Sequence, residues 1–140
     1  MLARMTVLLG GRAAESLIFP DISTGAADDL VRATDMARAM VVRYGMDGTL
    51  GQVTYEPENS RFLGGGQEWR PRQYSEQTAA AIDAAVHDLV ESAFNRSRAI
   101  LQANMPVLRE AARELLKEET ISGDKLDELA AKIPPWTDRA

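Results

Sequence analysis

Few side chains in this sequence have the chemistry to bind a metal or to act as a nucleophile. Cysteine is absent and His87 is the single histidine, so a zinc site built by this chain alone would need carboxylates for its other ligands, which is uncommon. The same shortage leaves no Ser-His-Asp or Cys-His arrangement for covalent catalysis. The core-facing residues around His87 recur at helical spacing: Ile82, Val86, Leu89 and Ala93. At roughly 100° per residue, His87 points away from that row, which predicts a solvated surface histidine.

A phosphate site is also not indicated. Gly64, Gly65 and Gly66 are not followed by Lys-Ser or Lys-Thr, and they do not lie between a strand and a helix start. They therefore match neither the P-loop nor the dinucleotide fingerprint. An ATP site, if the protein uses one, is expected outside this chain.

Two adjacent carboxylates, Asp28 and Asp29, stand at the start of a predicted helix. Successive helical residues point about 100° apart, so the two cannot share one role. The apolar face of this helix is centred on Leu30, Ala33, Ala37, Val41 and Tyr44. Asp28 falls opposite that face, whereas Asp29 lies at its edge, where a carboxylate needs a cation, a metal or hydrogen-bond donors. Helical geometry alone favours a helix-dipole or capping role for Asp29 over metal ligation.

Glu15 raises the same question in the first predicted helix. It lies one turn beyond Gly10 and Gly11, and the residue three positions earlier is Arg12. A salt bridge to Arg12 or an exposed charge is its simplest interpretation. The two glycines disfavour helix by roughly 1 kcal/mol each relative to alanine, which predicts that another backbone approaches closely there.

Apolar periodicity and capping residues predict the elements that position these side chains. The first helix runs to about Ile18, and the second begins at a Ser23 or Thr24 cap and ends before Gly45. A long third helix is predicted over 75–104, and shorter ones begin at Pro106 and Ser122. Residues 50–55 alone read as a strand, and 56–73 are expected to form a long mobile loop. The predicted fold class is all-α, a bundle of about five helices with a minor β element.

Composition restricts the broad class of protein. The 140 residues fit one domain, and 45% hydrophobic residues fill one core. The net charge of -5, with scattered basic residues, makes nucleic acid an unexpected partner. No run of roughly 18 apolar residues is present to span a bilayer, so the chain itself is expected to be soluble. The absence of cysteine fits a reducing compartment.

Several short motifs stand out by their order along the chain. Gly-Gly-Arg-Ala-Ala-Glu at 10–15 and Ser-Thr-Gly-Ala-Ala-Asp-Asp-Leu at 23–30 are followed by Tyr-Gly-Met at 44–46 and Leu-Gly at 50–51. Later landmarks lie at 74–78, 82–83 and 119–123. In this order and spacing, over about residues 1–133, the sequence resembles the FtsH family of membrane-anchored AAA zinc metalloproteases, and specifically the C-terminal part of their peptidase domain.

The resemblance implies roles for two of the carboxylates. In that family a HExxH helix supplies two histidine ligands and a glutamate base, and the third zinc ligand is the aspartate that matches Asp29. Glu15 matches a glutamate behind the zinc site that can orient a ligand histidine. The HExxH helix is expected upstream, so no catalytic residue is expected in this chain. Ser16 and Asp28 depart from the family pattern, which commonly has Glu and Asn there.

The resemblance also implies an activity for the full-length protein. That activity is ATP-dependent degradation of unfolded or membrane proteins by a zinc endopeptidase, with ATP and Mg²⁺ bound in an AAA domain outside this chain. Self-association as a hexamer is implied, at the inner membrane, with anchoring through other segments and this domain facing the cytoplasm. Residues 1–133 would belong to the peptidase domain and 134–140 to a tail. The chain alone is expected to be inactive; the alternative is a helical assembly module of a metal-free, degenerate relative.

Overall fold

The computed structural model describes residues 1–21, 23–56 and 74–136. Within these residues the secondary structure is entirely helical, which confirms the predicted all-α class. The six helices are α1 (Leu2–Leu8), α2 (Gly10–Ile18), α3 (Ala27–Val42), α4 (Glu76–Ala103), α5 (Met105–Glu118) and α6 (Gly123–Ala131).

The single first helix predicted through Ile18 is wrong, because it is divided at Leu9. Leu9 is buried, with φ −81° and ψ 1°, and its N–H still bonds to the carbonyl of Met5. Gly10 and Gly11, which have low helix propensity, follow directly. A Cβ at Gly10 would lie an ordinary 3.9 Å from Ser97 Oγ, and one at Gly11 would meet nothing within 4 Å. The expected close backbone approach is therefore not found among the described residues.

Helix α4 is the central element, since α1, α2 and α3 all pack against it. One cluster of buried side chains joins α1, α3 and α4 and comprises Met5, Leu9, Ala33, Ala37, Met40 and Ala93. A second cluster, Val41, Val42 and Ile82, lies toward the start of α4. Alanine at the α3–α4 contact leaves little side chain between the two helices, so their backbones approach closely.

The last two helices extend from the end of α4. The predicted Ser75 and Ser122 caps are confirmed: their hydroxyls accept bonds from the Thr78 and Lys125 N–H groups. No residue of α5 is buried, and Leu129 is the single buried residue of α6. The α5–α6 pair is also joined by an ion pair of 2.6 Å between Lys132 Nζ and Glu110 Oε1.

The strand predicted over 50–55 is wrong. Gly45 has φ +57°, and Asp47 Oδ1 accepts bonds of 2.9 Å from the N–H groups of both Thr49 and Leu50, which makes a turn. The Tyr55 N–H then bonds back to the Val42 carbonyl at 2.8 Å. The segment returns to the end of α3 and has no partner strand among the described residues, so its β-type composition does not produce a ladder.

Residues 57–73 of the predicted mobile loop lie outside the described residues. The positions on either side, Glu56 and Tyr74, are in contact: Tyr74 Oη donates a 3.2 Å bond to Glu56 Oε1. The same oxygen accepts a 2.6 Å bond from Arg38 on α3. Tyr55 packs edge-to-face on Tyr74, with ring centroids 5.7 Å apart. Glu56 is therefore held beside the C-terminal part of α3, and Tyr74 is held against Glu56.

None of the helices in the described ranges combines the length and apolar character needed to cross a membrane.

Candidate metal centre

Asp29 lies in the first turn of α3, and its environment differs from that of Asp28. Asp29 is half-buried whereas Asp28 is exposed, which confirms the separation predicted from helical geometry. The predicted Ser23 or Thr24 cap is wrong: Ala26 occupies the N-cap position, and no side chain of the described residues caps the helix. The first turn of α3 therefore places the Asp29 carboxylate at the positive end of the helix dipole.

Glu15 reaches the segment before α3 from the second turn of α2. Its Oε1 accepts a 2.7 Å hydrogen bond from Ser23 Oγ, which in turn accepts a 3.2 Å bond from the Gly25 N–H. The expected Arg12–Glu15 salt bridge is wrong, since Arg12 Nη1 instead donates a 2.7 Å bond to the Ser23 carbonyl. Two residues one turn apart on α2 thus hold Ser23 at its hydroxyl and at its backbone.

The second carboxylate oxygen of Glu15 is buried and unpaired. Oε2 has no hydrogen-bond partner among the described residues, and it is the one buried side-chain oxygen or nitrogen there with that property. An unsatisfied buried acceptor costs about 1–3 kcal/mol, and more when it is charged. A carboxylate in this state is suited to receive an N–H donor from a group outside the described part of the chain, as carboxylates behind metal-bound imidazoles do.

His87 takes no part in this arrangement. Its side chain on α4 is 74% exposed and contacts Asp88, with 3.2 Å between Nδ1 and Oδ1. The solvated histidine expected from helical geometry is therefore found. Across residues 1–21, 23–56 and 74–136, no three histidine or carboxylate side chains converge as a metal site. The described residues contribute Asp29 as a candidate ligand and Glu15 as a candidate partner.

Arg38, Glu56 and Tyr74 stabilise the other end of α3. Burial raises the pKa of Glu56, but the hydrogen bond and charge of Arg38 and the Tyr74 hydroxyl outweigh it and hold this pKa below its ordinary value. The Glu56 hydrogen bond correspondingly raises the pKa of Arg38, against the effect of burial. Arg38 lies about two and a half turns along the helix from Asp29, so we assign these groups a structural role.

Ser23 and Arg12 are the residues that sequence reasoning missed. Ser23 was predicted to cap α3, and Arg12 was expected to pair with Glu15. In the structure Ser23 bonds to Glu15, 8 positions earlier in the sequence, and Arg12 bonds to Ser23, 11 positions later. Helical periodicity carries no information on such contacts, and the only sequence signal was the position of Ser23 at the start of the Ser-Thr-Gly motif.

The fold and this site together define a helical domain with one half-buried aspartate at a helix start and a glutamate bonded to the segment before that helix. The sequence profile of peptidase family M41 matches residues 1–129. The chain belongs to this family, and it is part of the M41 peptidase domain of an FtsH-type zinc metalloprotease.

Similar proteins support the same assignment. The chain is 62% identical over 135 residues to the ATP-dependent zinc metalloprotease FtsH of Paraburkholderia phymatum, covering 95% of this chain and 21% of that protein. It is 48% identical over 127 residues to the ATP-dependent zinc metalloprotease FtsH of Pseudomonas putida, with 90% and 21% covered. The FtsH 2 protein of Bdellovibrio bacteriovorus is 44% identical over 128 residues, with 91% and 21% covered. The chain thus spans about a fifth of the length of these relatives.

Proposed function

We propose that the full-length protein is a membrane-anchored, ATP-dependent zinc endopeptidase that degrades unfolded or membrane proteins, and that this chain supplies one zinc ligand, Asp29. The observation that carries the proposal is the buried, unpaired Oε2 of Glu15. This carboxylate lies against the segment that leads into α3: a Cβ at Gly25 would be 4.0 Å from its Oε1. Asp29 follows Gly25 by four residues.

The side chains in this region fit a zinc ion that other segments help to bind. A carboxylate is an ordinary zinc ligand, and catalytic sites commonly combine it with two histidines. The half-burial of Asp29 limits its hydration, and its place in the first turn of α3 puts the carboxylate at the positive end of the helix dipole. Glu15 supplies the outer carboxylate that such sites use to orient an imidazole ligand. A zinc ion bound there would polarise the scissile carbonyl and lower the pKa of its bound water.

The role of this chain in the reaction is therefore to hold the site in place. Asp29 is fixed by a 16-residue helix that is packed on α4 by Ala33, Ala37 and Met40. Glu15 is fixed by α2, which also packs on α4. Both carboxylates thus stand on helices that pack against α4, which gives the rigid support that a metal site requires.

The remaining parts of the proposed activity lie outside this chain. We propose that the HExxH helix provides two ligands and the general base, that ATP and Mg²⁺ bind in a separate AAA domain, and that other segments anchor the protein in the inner membrane with this domain facing the cytoplasm. A hexameric assembly is part of the same proposal. Residues 1–133 would belong to the peptidase domain, and 134–140 would form a tail.

The direct test is an Asp29→Asn substitution in the full-length protein, with Asp28→Asn as the matched control. Loss of the ligand carboxylate should abolish degradation of an unfolded substrate such as casein while ATP hydrolysis remains largely intact. Asp28→Asn should retain both activities, because Asp28 is exposed. Unchanged casein degradation by Asp29→Asn would remove Asp29 from the site. A wild-type protein that hydrolyses ATP, holds no zinc and degrades nothing would instead indicate a metal-free assembly module.

A further inference from the structure

Ser23 connects the two parts of the candidate site through a directional chain of hydrogen bonds. The Gly25 N–H donates to Ser23 Oγ at 3.2 Å, and Ser23 Oγ donates to Glu15 Oε1 at 2.7 Å. A serine hydroxyl has one hydrogen to donate. Because the Gly25 N–H engages the oxygen of Ser23 as an acceptor, that hydrogen is directed to Glu15.

We propose that Ser23 is a positioning residue of the peptidase, which fixes the Glu15 carboxylate so that only Oε2 remains available to an incoming donor. This inference rests on the proposed function, because the donor we assign is the N–H of a zinc-binding imidazole supplied by another segment. Oε1 is occupied by Ser23, and Oε2 is buried and has no hydrogen-bond partner in the part of the chain that the structure describes. The 2.7 Å bond at Oε1 restricts rotation of the carboxylate and so favours one orientation of Oε2.

Arg12 reinforces the position of Ser23 from the same helix. Its Nη1 donates a 2.7 Å bond to the Ser23 carbonyl, one turn before Glu15 on α2. The backbone of Ser23 and its hydroxyl are therefore both attached to α2. This double attachment fixes the chain close to the start of α3, where Asp29 lies.

The local fit at Gly25 shows how closely Ser23 and Glu15 pack against this turn. An added Cβ at Gly25 would lie 3.3 Å from Ser23 Oγ, a tight contact that the hydroxyl must move to relieve. Any such movement would lengthen the bond to Glu15. A small residue at position 25 thus preserves the geometry of the Ser23–Glu15 pair.

The experiment uses the full-length protein and five variants: Ser23→Ala, Ser23→Thr, Glu15→Gln, Asp29→Asn and the control Ser16→Ala. The Ser16 hydroxyl bonds to the Ala13 carbonyl on α2 and does not reach Glu15. Zinc affinity is measured by competition with a chelator, alongside kcat and KM for casein degradation, ATP hydrolysis and thermal unfolding.

Outer carboxylates behind metal ligands typically contribute 10–100-fold in affinity or activity. We expect Ser23→Ala to weaken zinc retention about 10-fold and to lower kcat with KM unchanged. Glu15→Gln keeps an amide oxygen for Ser23 but replaces the free acceptor, so it should weaken zinc retention by about 10–100-fold. Ser23→Thr keeps the hydroxyl and should behave as wild type, as should Ser16→Ala.

The outcomes distinguish failure of the positioning role of Ser23 from failure of the proposed function. If Asp29→Asn loses zinc but Ser23→Ala and Glu15→Gln retain it like Ser16→Ala, the positioning role is overturned and the proposed function stands. If Asp29→Asn also retains zinc and proteolysis, the proposed function fails. If Ser23→Ala unfolds, the comparison of Glu15→Gln with Ser23→Thr still decides, since equal zinc affinity in these two variants would contradict the role of the free Oε2.

Discussion

Ser23 Oγ and Glu15 Oε1 are joined by a 2.7 Å hydrogen bond that links α2 to the segment leading into α3. This bond occupies one oxygen of a carboxylate whose other oxygen is buried and unpaired. The two motifs that suggested the family, at 10–15 and 23–30, thus meet in space at a defined contact. That contact gives a physical reason for the spacing of the two motifs: α2 and the turn must be placed so that the pair can form.

Gly45 should be required for its backbone conformation. It has φ +57°, and a Cβ there would lie 3.1 Å from Gln52 Cα and 3.2 Å from the Gly51 carbonyl oxygen. Gly45→Ala is therefore expected to lower the free energy of unfolding by about 1–3 kcal/mol. Gly48→Ala is the matched control, because nothing lies within 4 Å of its Cβ position and it should be neutral or slightly stabilising. Equal urea midpoints for the two variants would contradict this account of the turn.

Ile82 should be a principal contributor to the second core cluster. It is 1% exposed and packs with Val41 and Val42. Ile82→Ala removes buried methylenes and leaves a cavity, so a loss of about 2–5 kcal/mol in the free energy of unfolding is expected. Leu116→Ala is the matched control, since Leu116 is 85% exposed. Its truncation should change the free energy of unfolding by less than about 0.5 kcal/mol. A similar loss in both variants would mean that this part of the core is described incorrectly.

The Arg38–Glu56 contact should make stability depend on pH. The folded pKa of Glu56 is lowered, so its contribution is present above the unfolded pKa of about 4.3 and is lost as the pH falls through the folded value. At neutral pH the free energy of unfolding should be higher for wild type than for Glu56→Gln, and this difference should disappear as the pH becomes acidic. Because the two side chains are 43% and 37% exposed, solvent screening limits the difference to about 1 kcal/mol or less.

The control for this titration is Glu118→Gln, which removes the more exposed pair with Lys117. Its free energy of unfolding should lie within about 0.5 kcal/mol of that of wild type, because both side chains of the pair are exposed. Arg43, Asp83 and Tyr74 also act on the Arg38–Glu56 pair, so they are left unchanged in both variants. A flat pH profile for the difference between wild type and Glu56→Gln would show that the pair contributes nothing to folding.

The purified 140-residue chain should hold no stoichiometric zinc and show no peptidase activity. Asp29 would supply one ligand, which is too few for the tetrahedral coordination that zinc prefers. Elemental analysis after dialysis checks this expectation. One tightly bound zinc per chain, lost on Asp29→Asn, would mean that residues of this chain complete the site.

Local patterns in the sequence predicted the features that depend on neighbouring residues. The Ser75 and Ser122 caps and the different environments of Asp28 and Asp29 follow from hydrogen bonds and angles within one helix. Such features need no knowledge of tertiary structure. The half-burial of Asp29, on which its proposed role as a zinc ligand depends, is one of these locally determined features.

Features that depend on distant contacts were predicted wrongly. Ser23 has the composition of a helix cap, but its hydroxyl bonds to Glu15 on α2. Residues 50–55 have the composition of a strand, yet Tyr55 returns to Val42 and has no ladder to join. In each case a tertiary hydrogen bond displaced the local preference, and the position of the partner was set by packing on α4.

The central claim is that Asp29 is a zinc ligand, and the zinc content of the full-length protein tests it most directly. Wild type, Asp28→Asn and Asp29→Asn would be purified together, and their metal content measured after equal exposure to a chelator, with thermal unfolding as the check on folding. We predict one zinc per chain in wild type and in Asp28→Asn, and less than a tenth of that in a folded Asp29→Asn protein, roughly matching a tenfold or greater loss of affinity. Equal zinc retention by all three proteins would contradict the account.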